Sequence, residues 1–161
     1  MQIINAASSD TKAIAKIVSE SNIDVAEKFD LNMENNPKHP SFYTDSWVKS
    51  DLDRGEKFFL AVQDSQLVGC VAYESPNPSL SYLNRLSVLP KYRRRGIGEA
   101  LVQHVIEYSK VRNIEYVSIG IIAKFTELKN WYIKLGFVEG ETKSFHHLPF
   151  EVMYLSFKIK C

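Results

Sequence analysis

Hydrophobic and polar positions change period several times along the chain. Gln2–Ala6 reads as a short strand. Ala13, Ile14, Ile17 and Val18 then fall at helical spacing, with Ser9 as the expected N-cap of a helix from Asp10 that continues, bent or broken, through Val25–Phe29. Residues Asn32–Phe42 hold Asn35, Asn36, Pro37 and Pro40 and read as a polar loop. Thr44 caps a second short helix carrying Trp47, Val48 and Leu52, and Gly55 stops it. Lys57–Gln63 and Gln66–Glu74 are strand runs whose spacer, Asp64-Ser65, predicts a tight hairpin. Leu80–Val88 is a third strand, after a turn at Pro76-Asn77-Pro78. The helical period returns with Ile97, Leu101, His104, Val105 and Tyr108 on one face. Tyr116–Ile121 is a strand, and Leu128, Trp131, Tyr132 and Leu135 mark a helix ended by Gly136. Phe137–Phe145 and Phe150–Lys158 are the last strands, joined by His146-His147-Leu148-Pro149.

This order predicts an α+β (mixed α/β) fold: a mostly antiparallel, twisted sheet of about seven strands flanked by about four helices. The β-α-β unit around residues 81–121 requires a right-handed crossover, so its two strands should be parallel neighbours. With 161 residues and no linker or repeat, positions 1–161 read as a single domain.

Composition mainly excludes. Hydrophobic residues at 45% and charged residues at 24% rule out a disordered chain, a collagen and a disulfide scaffold. Twenty Lys+Arg against nineteen Asp+Glu leave a net charge of +1, so a basic function must come from a local cluster. Cys70 and Cys161 read as free thiols of a reducing cytoplasm, and no Cys/His spacing suggests a metal. The first residues lack the basic and apolar regions of a signal peptide, and no run is long enough for a membrane span, which predicts a cytoplasmic protein without membrane contact.

One segment concentrates the chemistry: Leu86-Ser87-Val88-Leu89-Pro90-Lys91-Tyr92-Arg93-Arg94-Arg95-Gly96-Ile97-Gly98. A strand ends, three arginines and two glycines follow, and a helix begins. Unpaired N–H groups and the dipole of a helix N-terminus favour an anion, glycines permit close backbone approach, and arginines add forked donors. Pyrophosphate suits this arrangement. A third glycine for the dinucleotide fingerprint is missing, as is the Lys-Ser/Thr of a Walker loop.

The remaining pattern, Arg93-x-x-Gly96-x-Gly98 after a strand ending in Val88 and Pro90, resembles the acyl-CoA-binding motif of the GNAT superfamily, the Gcn5-related N-acetyltransferases. Tyr132-Ile133-Lys134-Leu135-Gly136-Phe137 resembles the family's second signature, and the element order is similar to the family fold. The resemblance implies acetyl-CoA as acyl donor without a metal, and direct transfer to a primary amine of a small molecule or peptide. It implies a bulged strand over Leu80–Val88, with backbone groups of Leu86, Ser87 and Val88 facing the pantetheine and the Val88 N–H on the thioester carbonyl. Pyrophosphate then falls to Arg94, Arg95, Gly96, Ile97 and Gly98, with Arg93 and Glu99 alongside. Phe125 stands where the family often places a cofactor-binding asparagine.

By the same resemblance Tyr132 supplies a proton to the departing thiolate, as a phenol can. Glu74 at a strand end is a candidate base, with Tyr82, His146 and His147 as alternatives. His39, Tyr82, His146 and His147 are the candidate substrate-binding residues. Other readings are a non-catalytic CoA-binding sensor and, less favoured, a nucleic-acid contact through Lys91–Arg95. A homodimer is compatible with the sequence.

Overall fold

The computed structural model describes residues 1–159; Cys161, expected as a second free thiol, lies outside them. Seven strands form one sheet in the order β1-β2-β3-β4-β5-β7-β6. They are β1 (Gln2–Asn5), β2 (Lys57–Gln63), β3 (Gln66–Asn77), β4 (Leu80–Val88), β5 (Tyr116–Ile122), β6 (Val138–Lys143) and β7 (Val152–Lys158). Every neighbouring pair is antiparallel except β4–β5, the pair joined by the long helix.

The helices are α1 (Thr11–Ser21), α2 (Ile23–Lys28), α3 (Asp45–Asp53), α4 (Ile97–Val111) and α5 (Thr126–Lys134). Side chains alternate across β2, and that alternation makes two cores. Phe58 and Leu60 pack with Ile14 and Val18 of α1 and Val48 of α3. Phe59 and Ala61 face the other way, toward Leu101 and Val105 of α4 and Tyr132 of α5. A strand buried on both faces reads as a continuous apolar run, which Phe58–Val62 is.

Several sequence signals act as expected. Asp64 and Ser65 both take positive φ, 52° and 63°, in the β2–β3 hairpin. Thr44 accepts from the Trp47 N–H at 3.2 Å, and Gly136 ends α5 at φ 105°. Helix α1 breaks where Asn22 turns its side chain back, its Nδ2 donating to the Val18 carbonyl at 2.7 Å. The first four-helix expectation therefore resolves into five segments, α1 and α2 being its broken helix.

Other boundaries differ. Ser9 does not cap α1; a 3-10 turn over Ser8–Asp10 precedes it, and the Asp10 carboxylate, a stronger acceptor, takes the Ala7 N–H at 2.7 Å. Strand β3 runs through Pro76 to Asn77, because the β3–β4 register shifts between Glu74 and Asn77 and relieves Pro76 of a ladder donor. The loop before α3 is no simple polar surface: Asn36 and His39 are buried in it.

Strand β4 positions the site. Cys70 pairs with Ser87 and Ala72 with Asn84, so Val71 alone faces Arg85 and Leu86, a bulge with Arg85 at φ 55°. Pairing with β5 covers Leu80↔Tyr116, Ser81↔Val117 and Tyr82↔Ser118, and stops there. Beyond Tyr82 the two strands part.

Candidate active site

Past the point where β4 and β5 part, a cavity of about 520 Å³ opens between the end of β4 and helix α5. Leu86, Ser87 and Val88 wall one side; Phe125, Leu128 and Trp131 wall the other. Ser21, Asn22, Asp24 and Val25, at the α1–α2 junction, close it above, and Arg94 with Gly96 to Glu99 forms its mouth.

That mouth is a row of unclaimed donors. Helix α4 begins at Ile97, and its first described acceptor, the Gly96 carbonyl, takes the N–H of Ala100 at 3.0 Å. The N–H groups of residues 94–99 have no acceptor among the described residues. Arg94 at φ 61° and Gly96 at φ 80° turn the backbone so that these groups converge, a concavity suited to an anion. A Cβ on Gly98 would stand 3.4 Å from the Trp131 ring, at the groove's edge. Along the wall, Leu89 donates to the Val68 carbonyl at 2.9 Å. Ladder alternation therefore turns the Val88 N–H away from β3 and toward the gap.

The three arginines divide the work. Arg93 Nε donates to the Val88 carbonyl at 3.2 Å, Nη2 to the Ser21 carbonyl at 2.6 Å, and Nη1 to Asp24 at 2.7 Å. Its guanidinium braces the α1–α2 junction against the end of β4. Burial raises the Asp24 carboxyl, but the Arg93 hydrogen bond and charge outweigh that and hold it below the usual range. Arg94 is exposed at the mouth, and Arg95 stacks 5.3 Å over the Tyr92 ring, outside the lining. Helix α2 spans the groove to its other wall: Lys28 meets Glu127 at 3.0 Å, and Phe29 lies 5.4 Å from Phe125.

Tyr132 sits behind the groove, 4% exposed, its ring edge-on to Trp131 and Phe137. Its hydroxyl has no partner among the described residues, and burial pushes its pKa up, so it stays protonated at neutral pH. Tyr82 occupies the last β4–β5 rung, directly across from Glu74. Glu74 is not a free carboxylate; it accepts from Arg54 Nη1 at 2.9 Å. His39 is 5% exposed, and its Nδ1 accepts from the Ser41 N–H at 3.2 Å, which leaves it facing its own turn. His146 and His147 are exposed before β7 and do not line this cavity. Cys70 is buried, its thiol pushed up to about 12 by burial, and is no nucleophile.

The family model "Acetyltransferase (GNAT) family" matches residues 22–137. The chain belongs to the GNAT acetyltransferase family. Among curated GNAT-region relatives, it is 36% identical over 93 residues to N-acetylaspartate synthetase of Danio rerio, covering 56% of this chain and 33% of that protein. It is 29% identical over 116 residues to N-alpha-acetyltransferase 50 of Danio rerio, 70% of this chain and 69% of that one. The chain thus spans about a third of the first of these relatives. The crystal structure of smu.2055 from Streptococcus mutans superposes at a TM-score of 0.77 with 22% identity, covering 99% of this chain and 100% of that one. The chain also superposes at a TM-score of 0.73 with 22% identity on the crystal structure of an acetyltransferase of the GNAT family from Staphylococcus aureus, covering 99% of each chain, a likeness that shows this fold over nearly the whole chain.

Sequence reasoning missed the groove's roof. Ser21, Asn22, Asp24 and Val25 enter the site only through the helix break at Asn22 and the reach of Arg93. The polar run Ser19–Asn22, which interrupts the apolar face of α1, is the signal in the sequence.

Proposed function

We propose that residues 1–161 form a single acetyl-CoA-binding domain that transfers acetyl groups directly to primary amines. The observation that carries this reading is the row of free N–H groups over residues 94–99 at the mouth of the groove between the end of β4 and α5. Both curated relatives carry N-acetylation in their names, which supports an amine as acceptor.

Acetyl-CoA supplies the activated acetyl group as a thioester. The residues present fit it: an anion cradle at residues 94–98, an apolar channel at Leu86, Val88, Leu128 and Trp131, and Gly98 leaving its edge open. The Val88 N–H, facing the gap, donates to the carbonyl oxygen where negative charge builds up. Tyr132 holds a proton on its hydroxyl for the sulfur that leaves. Arg93 does not contact phosphate in this reading; it positions the roof. The amine must be neutral when it attacks. In this reading Glu74, once released from Arg54, takes its proton through water, and Tyr82, across the rung from it, relays that proton.

Calorimetric titration with acetyl-CoA, with CoA and ATP as comparisons, tests the cradle. Thiol release over an amine panel tests the transfer. Acetyl-CoA binding with amine-dependent release is expected; absence of binding overturns the assignment.

A further inference from the structure

On the other side of β4 lies a second cavity of about 220 Å³. Lys38, Tyr43, Trp47, Asp51 and Arg85 are among the residues that wall it. Arg85 is the residue that the bulge forces into the left-handed region, and Leu86, its neighbour in the chain, lines the cofactor groove. Consecutive Cα atoms are about 3.8 Å apart, so one stretch of backbone borders both cavities.

The charges in this cavity are unevenly matched. Asp51 is fully engaged: it accepts from the Tyr43 hydroxyl, from Arg85 Nε at 3.2 Å and from Arg54 Nη2 at 3.1 Å. Arg85 gives only its Nε to that contact. Its guanidinium lies 4.8 Å over the Tyr43 ring, with the Tyr43 hydroxyl as its other close polar neighbour. Lys38 has no acidic partner among the described residues. Of the other acids nearby, Glu74 takes Arg54, and Glu56 takes Arg54 and Asn84 through Oε2 while its buried Oε1 has no partner among the described residues. The cavity therefore presents one guanidinium, held by Asp51 and Tyr43 on one side, and a free ammonium, beside an aromatic wall. An arginine fork matches a carboxylate in geometry. The volume is below the roughly 300–1,000 Å³ of sites for drug-sized ligands, so the ligand is small.

We propose that this cavity holds the carboxylate of the acceptor, and that the acceptor is a free amino acid. Arg85 grips the carboxylate, Lys38 adds charge at the rim, and the α-amine reaches past the bulge toward the Leu86–Val88 edge. The inference rests on the acetyl-transfer reading above and adds the substrate class.

The test is steady-state acetylation of matched pairs, glycine against glycinamide and L-aspartate against L-aspartic acid diamide, at a pH where each amine is equally neutral. The acids should be preferred in kcat/KM by about 10-fold or more, as a charge-assisted hydrogen bond allows. Arg85→Gln should lower the acid-to-amide ratio about 10-fold. Because that variant also loosens Asp51, the exposed Lys38→Glu serves as a second probe and should lower the ratio several-fold, with a melting curve like that of the parent protein. Acetyl-CoA affinity is measured on the same samples. If acetyl-CoA binds and acids and amides react alike, or none of them reacts, the amino-acid proposal is overturned while the donor site stands. If acetyl-CoA does not bind, both readings fall together.

Discussion

The donor groove and the acceptor cavity share β4 but meet their ligands with different parts of the chain. At the groove, backbone does the work: free N–H groups over residues 94–99 and an N–H of β4 turned to the gap. At the cavity, side chains do it, through Arg85, Asp51, Tyr43 and Arg54. A backbone cradle depends on φ and ψ and tolerates changes of side chain. A side-chain network depends on each partner and lets its specificity change one residue at a time. The donor should therefore be fixed by the fold, and the acceptor by a handful of positions.

The largest effect expected is chemical. Tyr132→Phe should lower kcat by about 100-fold or more, the range for a general acid, with acetyl-CoA affinity within a few-fold in calorimetry. An equal loss of binding would make Tyr132 a packing residue instead.

Arg93 comes next, because it is the side chain on which the groove's roof depends. Arg93→Ala removes donors to Val88, Ser21 and Asp24. Acetyl-CoA should bind about 10-fold more weakly, and denaturant unfolding should show a loss of about 1–2 kcal/mol, kept small by the partial exposure of Asp24. Unchanged affinity would detach the roof from donor binding.

Two glycines sharpen the contrast further. Gly55 at φ 104° and Gly96 at φ 80° each have open space where a Cβ would go. Alanine at either should cost about 1 kcal/mol in stability from the left-handed backbone. Only Gly96→Ala should also weaken acetyl-CoA, because only there does the backbone face the anion. Equal binding by both variants would remove the cradle's claim to geometry.

The smallest effect is a pH dependence. Burial lowers the pKa of both His39 and His104. For a depressed histidine the unfolded chain binds more protons, so stability is full above the unfolded value of about 6.5 and is lost as pH falls through the folded value. Melting temperature should thus decline on acidification below about pH 6.5. His39→Asn should flatten part of that decline, since Nδ1 must stay unprotonated to accept from Ser41.

How much of this the sequence revealed follows the same division. The donor motif is local: strand, arginines, glycines and helix lie within a dozen or so neighbours, and their spacing alone implies the turn. Caps and turns such as Thr44, Asp64-Ser65 and Gly136 were legible for the same reason. Arg93 was legible as a charge but not as a brace, because its partners Ser21 and Asp24 lie far back in the chain. Arg85 left no signal at all; its meaning depends on a bulge and on Asp51, 34 positions away. His39 looked like a loop residue because composition around it is polar, yet its turn folds under α1 and buries it.

The short β4–β5 pairing has a mechanical side. Three residue pairs are all that join strands β1–β4 to strands β5, β7 and β6 within the sheet. Helix α4 runs across behind that seam, and the Lys28–Glu127 contact ties the two halves in front. The two halves meet along that short seam and share one core behind it, and the groove lies beyond the seam's end. A molecule long enough to touch both walls acts as a clamp, and its binding energy adds to the resistance of the whole sheet to opening.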